Sequence, residues 1–120
     1  MGLKPCDVCK VLRICQTARV RVRYGVLGAA IIRRAGRPNA QARHYGQATA
    51  TIIDAHFDGK GPIASWAVGR DGHPTDYGAL TSPPYDPNWT AKTILYNDVP
   101  TFLKWLDQAV PGWDRDLQST

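Results

Sequence analysis

Three cysteines stand near the start of the chain, Cys6, Cys9 and Cys15, in a Cys-x2-Cys-x5-Cys spacing. A two-residue spacer turns both sulfurs of the first pair to one side, which is how two thiolates grip one tetrahedral metal, and a complete site needs a fourth ligand. His44 or His56 would supply it, no spacing rule choosing between them, and the cofactor would be zinc or an iron-sulfur cluster. Three ligands alone favour a plainer alternative, in which Cys9 and Cys15 are small buried hydrophobes on an N-terminal helical turn and Cys6 is exposed.

A second chemistry is anion binding. From Ala18 to Tyr24 the residues alternate, with Arg19, Arg21 and Arg23 on one side and Val20, Val22 and Tyr24 on the other, the period of a half-buried strand. Guanidiniums on one face of a strand stand about 7 Å apart, close to the spacing of successive phosphates on a nucleic-acid strand. The same row would also protect an edge strand from aggregation. The loop that follows, from Arg33 to Gln47, adds Arg33, Arg34, Arg37, Arg43, His44 and Tyr45, cations beside a ring that bases can stack on.

Two weaker constellations come later. Asp54, His56 and Asp58 alternate along an expected strand as a carboxylate-imidazole-carboxylate row, suited to a divalent metal or to proton transfer in a hydrolase. Such a row is also the ordinary polar end of a strand. Tyr85 and Trp89, in a segment stiffened by Pro83, Pro84 and Pro87, would make a rigid aromatic anchor for a protein partner or a cover for the sheet.

The cysteine spacing, followed by Gly25-Val26-Leu27-Gly28 and then Arg33-Arg34, resembles the distal half of the WhiB-like iron-sulfur regulators over about the first quarter of the chain. The chain differs from that family in having no separate upstream cysteine, in Leu27 where the family has Trp, and in Ala29 where it has a second Gly. The resemblance implies a cluster at Cys6, Cys9 and Cys15 and DNA binding through the arginines.

Of the elements that must position these residues, the stretch from Ala48 to Arg70 looks like a β-hairpin. Two runs of β-branched and aromatic residues flank Asp58-Gly59-Lys60-Gly61, and Asp-Gly is a strong hairpin signal. Residues 25–32 fit a buried strand or a short helix equally. Lys92 to Asn97 reads as a short strand. Asp98 then caps a helix whose Val99, Phe102, Leu103, Leu106 and Val110 form one apolar stripe, with Pro100 in the first turn and Pro111-Gly112 ending it.

Composition bounds these readings. The 120 residues suit one domain, divided into a cysteine-containing segment (1–17), sheet and loops (18–97), a helix (98–110) and a loose tail (114–120). All ten acids are Asp, which favours caps and turns over long surface helices. Residues 1–47 hold ten Lys or Arg against Asp7 alone, and residues 48–120 hold five against nine Asp, so a net +5 divides into +9 and −4. That asymmetry suits an anionic partner, nucleic acid first. No run is apolar for long enough to span a bilayer and no secretory leader is visible, so a cytoplasmic protein without membrane contact is expected. An odd number of cysteines agrees with a reducing compartment.

The fold expected from these features is α+β: a small antiparallel sheet of four to five strands packed against one C-terminal helix, rich in loops. The function expected is a small non-enzymatic binding module that contacts nucleic acid or another anion through the Arg-rich N-terminal third. A protein-interaction or inhibitor domain using Tyr85 and Trp89, and a metal-assisted hydrolase using Asp54, His56 and Asp58, are the alternatives.

Overall fold

Pro5 lacks an amide hydrogen and so suits the first position of a helix, and Val8, Val11, Leu12 and Cys15 recur at helical spacing behind it. They form helix α1 (Pro5–Ala18), which buries those four side chains together with Asp7. The structure, a computed structural model, describes residues 3–36, 42–57, 63–69 and 94–117, with side chains of the second segment described from 44 to 56. After α1 the chain turns through Arg19, held in the left-handed region at φ 57° with its amide donating to the Cys15 and Gln16 carbonyls. It enters strand β1 (Val20–Arg23), helix α2 (Tyr24–Arg34) and helix α3 (Ala42–Phe57). A single 3-10 turn (Ala64–Trp66) leads into strand β2 (Ala67–Val68), and strand β3 (Ile94–Tyr96) leads into helix α4 (Val99–Ala109).

The described residues therefore contain four helices and one sheet of three parallel strands in the order β2-β1-β3. This overturns the antiparallel sheet of four to five strands with one covering helix. The arginine-bearing strand is the centre of the sheet, pairing Val22 with Ala67 on one side and with Tyr96 on the other. The expected hairpin is replaced too: its first arm is the second half of α3, and its return arm is a short strand parallel to β1.

The reason is packing between α2 and α3, the most extensive helix pair in the fold. Every residue from Val26 to Ile32 is buried, so α2 carries no polar face and no periodicity for a sequence reader to find. On α3 the buried positions Tyr45, Thr49, Ala50 and Ile53 have helical spacing. The threonines that suggested a strand bond back to their own helix: Thr49 Oγ1 donates to the Tyr45 carbonyl at 2.7 Å and Thr51 Oγ1 to the Gln47 carbonyl at 2.9 Å. Small residues let the two backbones meet. A Cβ on Gly46 would lie 3.4 Å from the Gly25 backbone, and one on Gly28 would lie 2.4 Å from Thr49 Oγ1.

The C-terminal helix lies where its local signals put it. Asp98 caps α4, its carboxylate accepting from the Thr101 amide at 2.9 Å. Val99, Phe102, Leu103 and Leu106 are buried, whereas Val110 is exposed beyond the last turn. Tyr96, Phe102 and Trp105 form an aromatic cluster with ring centroids 5.4 to 5.8 Å apart. No described helix is long and apolar enough to cross a membrane.

Candidate anion site at the carboxyl end of the sheet

The three arginines of the expected row do not share an exposed face. Arg19 lies outside the strand, at the C-cap of α1. Arg21 is fully buried: its Nε donates to the Ser65 carbonyl at 3.1 Å and its guanidinium lies over the Trp66 ring, 4.2 Å from the centroid. The carbonyl replaces one of the hydrogen bonds that Arg21 loses to burial, and the indole face attracts its charge. Arg21 thus ties β1 to the turn before β2.

Arg23 has a different setting. It is the last residue of β1, half-buried, and the N-cap of α2. Its Nε donates to Asn97 Oδ1 at 2.6 Å, across the sheet at the corresponding end of β3. Asn97 orients the guanidinium without cancelling its charge, since an amide oxygen carries no formal charge. The first turn of α2 has no side-chain cap and no acid, so its backbone amides add partial positive charge beside Arg23. The N-terminus of α4 follows Asn97 directly.

Sheet topology marks the same place. From β1 the chain goes to one edge of the sheet and afterwards to the other, so β1 lies between strands reached in opposite directions. In open parallel sheets ligands bind outside the carboxyl ends of the strands at such a reversal. Arg23 and Asn97 are the residues at that end of β1 and β3.

The remaining cations of the basic third divide between structure and surface. Arg34, in the last turn of α2, makes a two-pronged ion pair with Asp107 at 2.7 Å and reaches Asp114 at 3.3 Å. Its guanidinium lies over the Trp113 ring, and the Trp113 indole donates to the same Asp107. This clamp joins α2, α4 and the start of the chain's tail, where Trp113 is buried. Arg33 is half-buried, with a buried Nε that has no hydrogen-bond acceptor among the described residues. Tyr45 belongs to the core rather than to a stacking surface, and His44 is exposed beside it with its ring edge-on. Arg37 and the side chain of Arg43 lie outside the described residues, as do Asp58, Tyr85 and Trp89.

The cysteines fall on one helix. Cys6 is exposed, Cys9 half-buried and Cys15 buried. Nine residues at about 100° each set Cys15 half a turn from Cys6, so α1 cannot aim the three sulfurs at one point. Burial pushes the Cys15 thiol well above its ordinary pKa. Asp54 and His56 are both exposed on α3, and a two-residue step on a helix turns them about 200° apart, whereas a strand would align them. Among the described residues no three His, Cys, Asp or Glu side chains gather to hold a metal ion.

The clamp carries a pH dependence with a definite sign. Hydrogen bonding from Arg34, aided by the Trp113 indole, holds the Asp107 carboxyl below its ordinary value of 3.8. Its contribution to stability is therefore complete above the unfolded value and is lost as pH falls below it. Thermal unfolding of the wild type and Asp107→Asn should differ most near neutral pH and converge in acid; a constant difference down to acid would rule the clamp out as a source of acid sensitivity.

No family model, curated protein or solved structure matches this chain. The signal for Arg23 was its place at the end of the alternating stretch, two residues before Gly25, but the partner Asn97 lies 74 residues away in sequence and only the sheet brings it alongside.

Proposed function

We propose that this protein is a small non-enzymatic binding domain for a phosphate-bearing ligand, gripped by Arg23 at the carboxyl end of the sheet. The observation that carries the reading is the Arg23 to Asn97 hydrogen bond. It orients a half-buried arginine that, among the described residues, meets no carboxylate, whereas Arg34 is neutralised by two carboxylates and Arg21 is enclosed. A guanidinium with its Nε occupied still presents its terminal N–H groups, and phosphate oxygens are its natural acceptors. The first turn of α2, which has no side-chain cap, adds partial positive charge beside the same anion. This narrows the expected polyanion surface from a row of arginines to one prepared cation.

Three ligands that share the phosphate group separate its sources: inorganic phosphate, a nucleoside triphosphate, and a short single-stranded DNA titrated at two salt concentrations. A ligand that binds the folded state raises the melting temperature by mass action. At least one of the three should do so for the wild type and none for Arg23→Ala. If DNA is the ligand, contact through one phosphate predicts a log-log salt slope near −0.7, against roughly −2 for three arginines on three phosphates. No stabilisation by any of the three, or equal stabilisation of Arg23→Ala, would exclude the proposal.

A further inference from the structure

Unlike the buried Cys15, Cys6 is exposed and Cys9 is half-buried at the edge of the core, and the two stand three residues apart at the N-terminal end of α1. The turn that leads into the pair, Lys4 to Asp7, is tightened: the Asp7 amide donates to the Lys4 carbonyl at 3.1 Å, a 3-10 contact, and the Val8 amide shares the same acceptor at 3.2 Å. Carried two residues further, 3-10 geometry would eclipse the side chains at i and i+3 and bring the two sulfurs over one line. On an ordinary helix such residues have Cβ atoms about 5 to 6 Å apart, and a disulfide needs about 3.8 Å, so closure asks for a small further tightening. Two thiols are too few for a tetrahedral metal and the right number for one disulfide.

From this geometry we infer that Cys6 and Cys9 form a dithiol-disulfide exchange site, closing reversibly against a low-molecular-weight disulfide of the glutathione class. Cys6 is exposed and is the attacking group; Cys9, half-buried behind it, resolves. The Cys6 Sγ lies 3.9 Å from Asp7 Oδ1, a carboxylate that accepts the thiol hydrogen. In the first step the Cys6 thiolate forms a bond to one sulfur of the incoming disulfide, whose S–S bond breaks and releases one thiolate. In the second the Cys9 thiolate attacks Cys6 Sγ, the mixed disulfide breaks, and a second thiolate leaves. The protein loses two electrons and two protons; the small disulfide gains both electrons, and its two thiolates take up two protons. Cys15, buried on the other side of α1, stays outside the exchange.

The test treats the intact protein with oxidised glutathione, quenches by alkylation and maps tryptic peptides by mass. Because trypsin does not cut between Lys4 and Pro5, Cys6 and Cys9 remain together in peptide 1–10 and Cys15 falls in peptide 14–19. The expected result for the wild type is peptide 1–10 lighter by two hydrogens and unalkylated, restored by a dithiol reductant, with Cys15 alkylated only after denaturation. Cys9→Ser should stop at the first step and carry glutathione on Cys6, while Cys15→Ala should close as the wild type does. A glutathione adduct that persists on the wild type, a cross-link between peptides 1–10 and 14–19, or cysteines that remain reduced throughout would each overturn the inference.

Discussion

Gly28→Ala should lower the melting temperature by an amount of the order of 10 °C, although alanine is the better helix former. Removing glycine from a helix interior contributes about 0.5 to 1 kcal/mol of stability where the new methyl has room. At Gly28 it has none. The added Cβ would lie 2.4 Å from Thr49 Oγ1, 2.8 Å from Tyr45 Cβ and 2.9 Å from the Tyr45 carbonyl oxygen. The hydroxyl is held by its own hydrogen bond to that carbonyl, and the carbonyl is helix backbone, so neither gives way without moving α3. Overpacking of this kind costs about 1 to 3 kcal/mol and exceeds the propensity gain, and 1 kcal/mol in a domain near this size is worth roughly 4 to 8 °C. Thermal unfolding followed by circular dichroism measures it directly. Gly28→Val should be worse, and a Gly28→Ala protein as stable as the wild type would mean that α2 and α3 are not in the close contact described.

Leu106→Asp should leave the domain unfolded at room temperature. Leu106 is fully buried on α4, beside Phe102 and Leu103. Truncating a buried leucine costs about 2 to 5 kcal/mol before any charge is considered. The carboxylate adds either the cost of burying an unpaired charge or that of protonating it near neutral pH. Together these match the roughly 5 to 15 kcal/mol that holds a typical domain folded. Lys104→Asp, exposed on the same helix, is the control for the introduced charge. An unchanged melting curve for Leu106→Asp would show that the α4 stripe does not face the core.

These two positions show what could be read in advance and what could not. The α4 helix was legible because its signals are local: the Asp98 cap, Pro100 in the first turn and an apolar stripe all lie within a dozen residues. The start of α1 was legible in part, since the plainer reading of the cysteines set Cys9 and Cys15 on an N-terminal helical turn with Cys6 exposed, while the helix itself runs on to Ala18. Residues 48–57 misled because Thr and Ile favour strands when nothing else decides, and here Gly25 and Gly28 decided otherwise by admitting a second helix at short range. Alternation in β1 suggested a half-exposed strand because an arginine is rarely buried. Arg21 is buried nonetheless, with an acceptor carbonyl from Ser65 and an indole face from Trp66, both more than 40 residues further along the chain.

The sequence by itself determined the charge asymmetry, the capped C-terminal helix and the presence of a close cysteine pair, because each depends on composition or on neighbours along the chain. Tertiary structure alone decided that the sheet is parallel, that the basic strand lies at its centre, and what each of its arginines meets. Arg21, Arg23 and Arg34 are chemically identical in the sequence. What distinguishes them is the partner each meets across the fold: a carbonyl and an indole for Arg21, a neutral amide for Arg23, and two carboxylates for Arg34. A guanidinium's availability depends on the charge and burial of what lies against it, and those are set by contacts between segments that are distant in the chain.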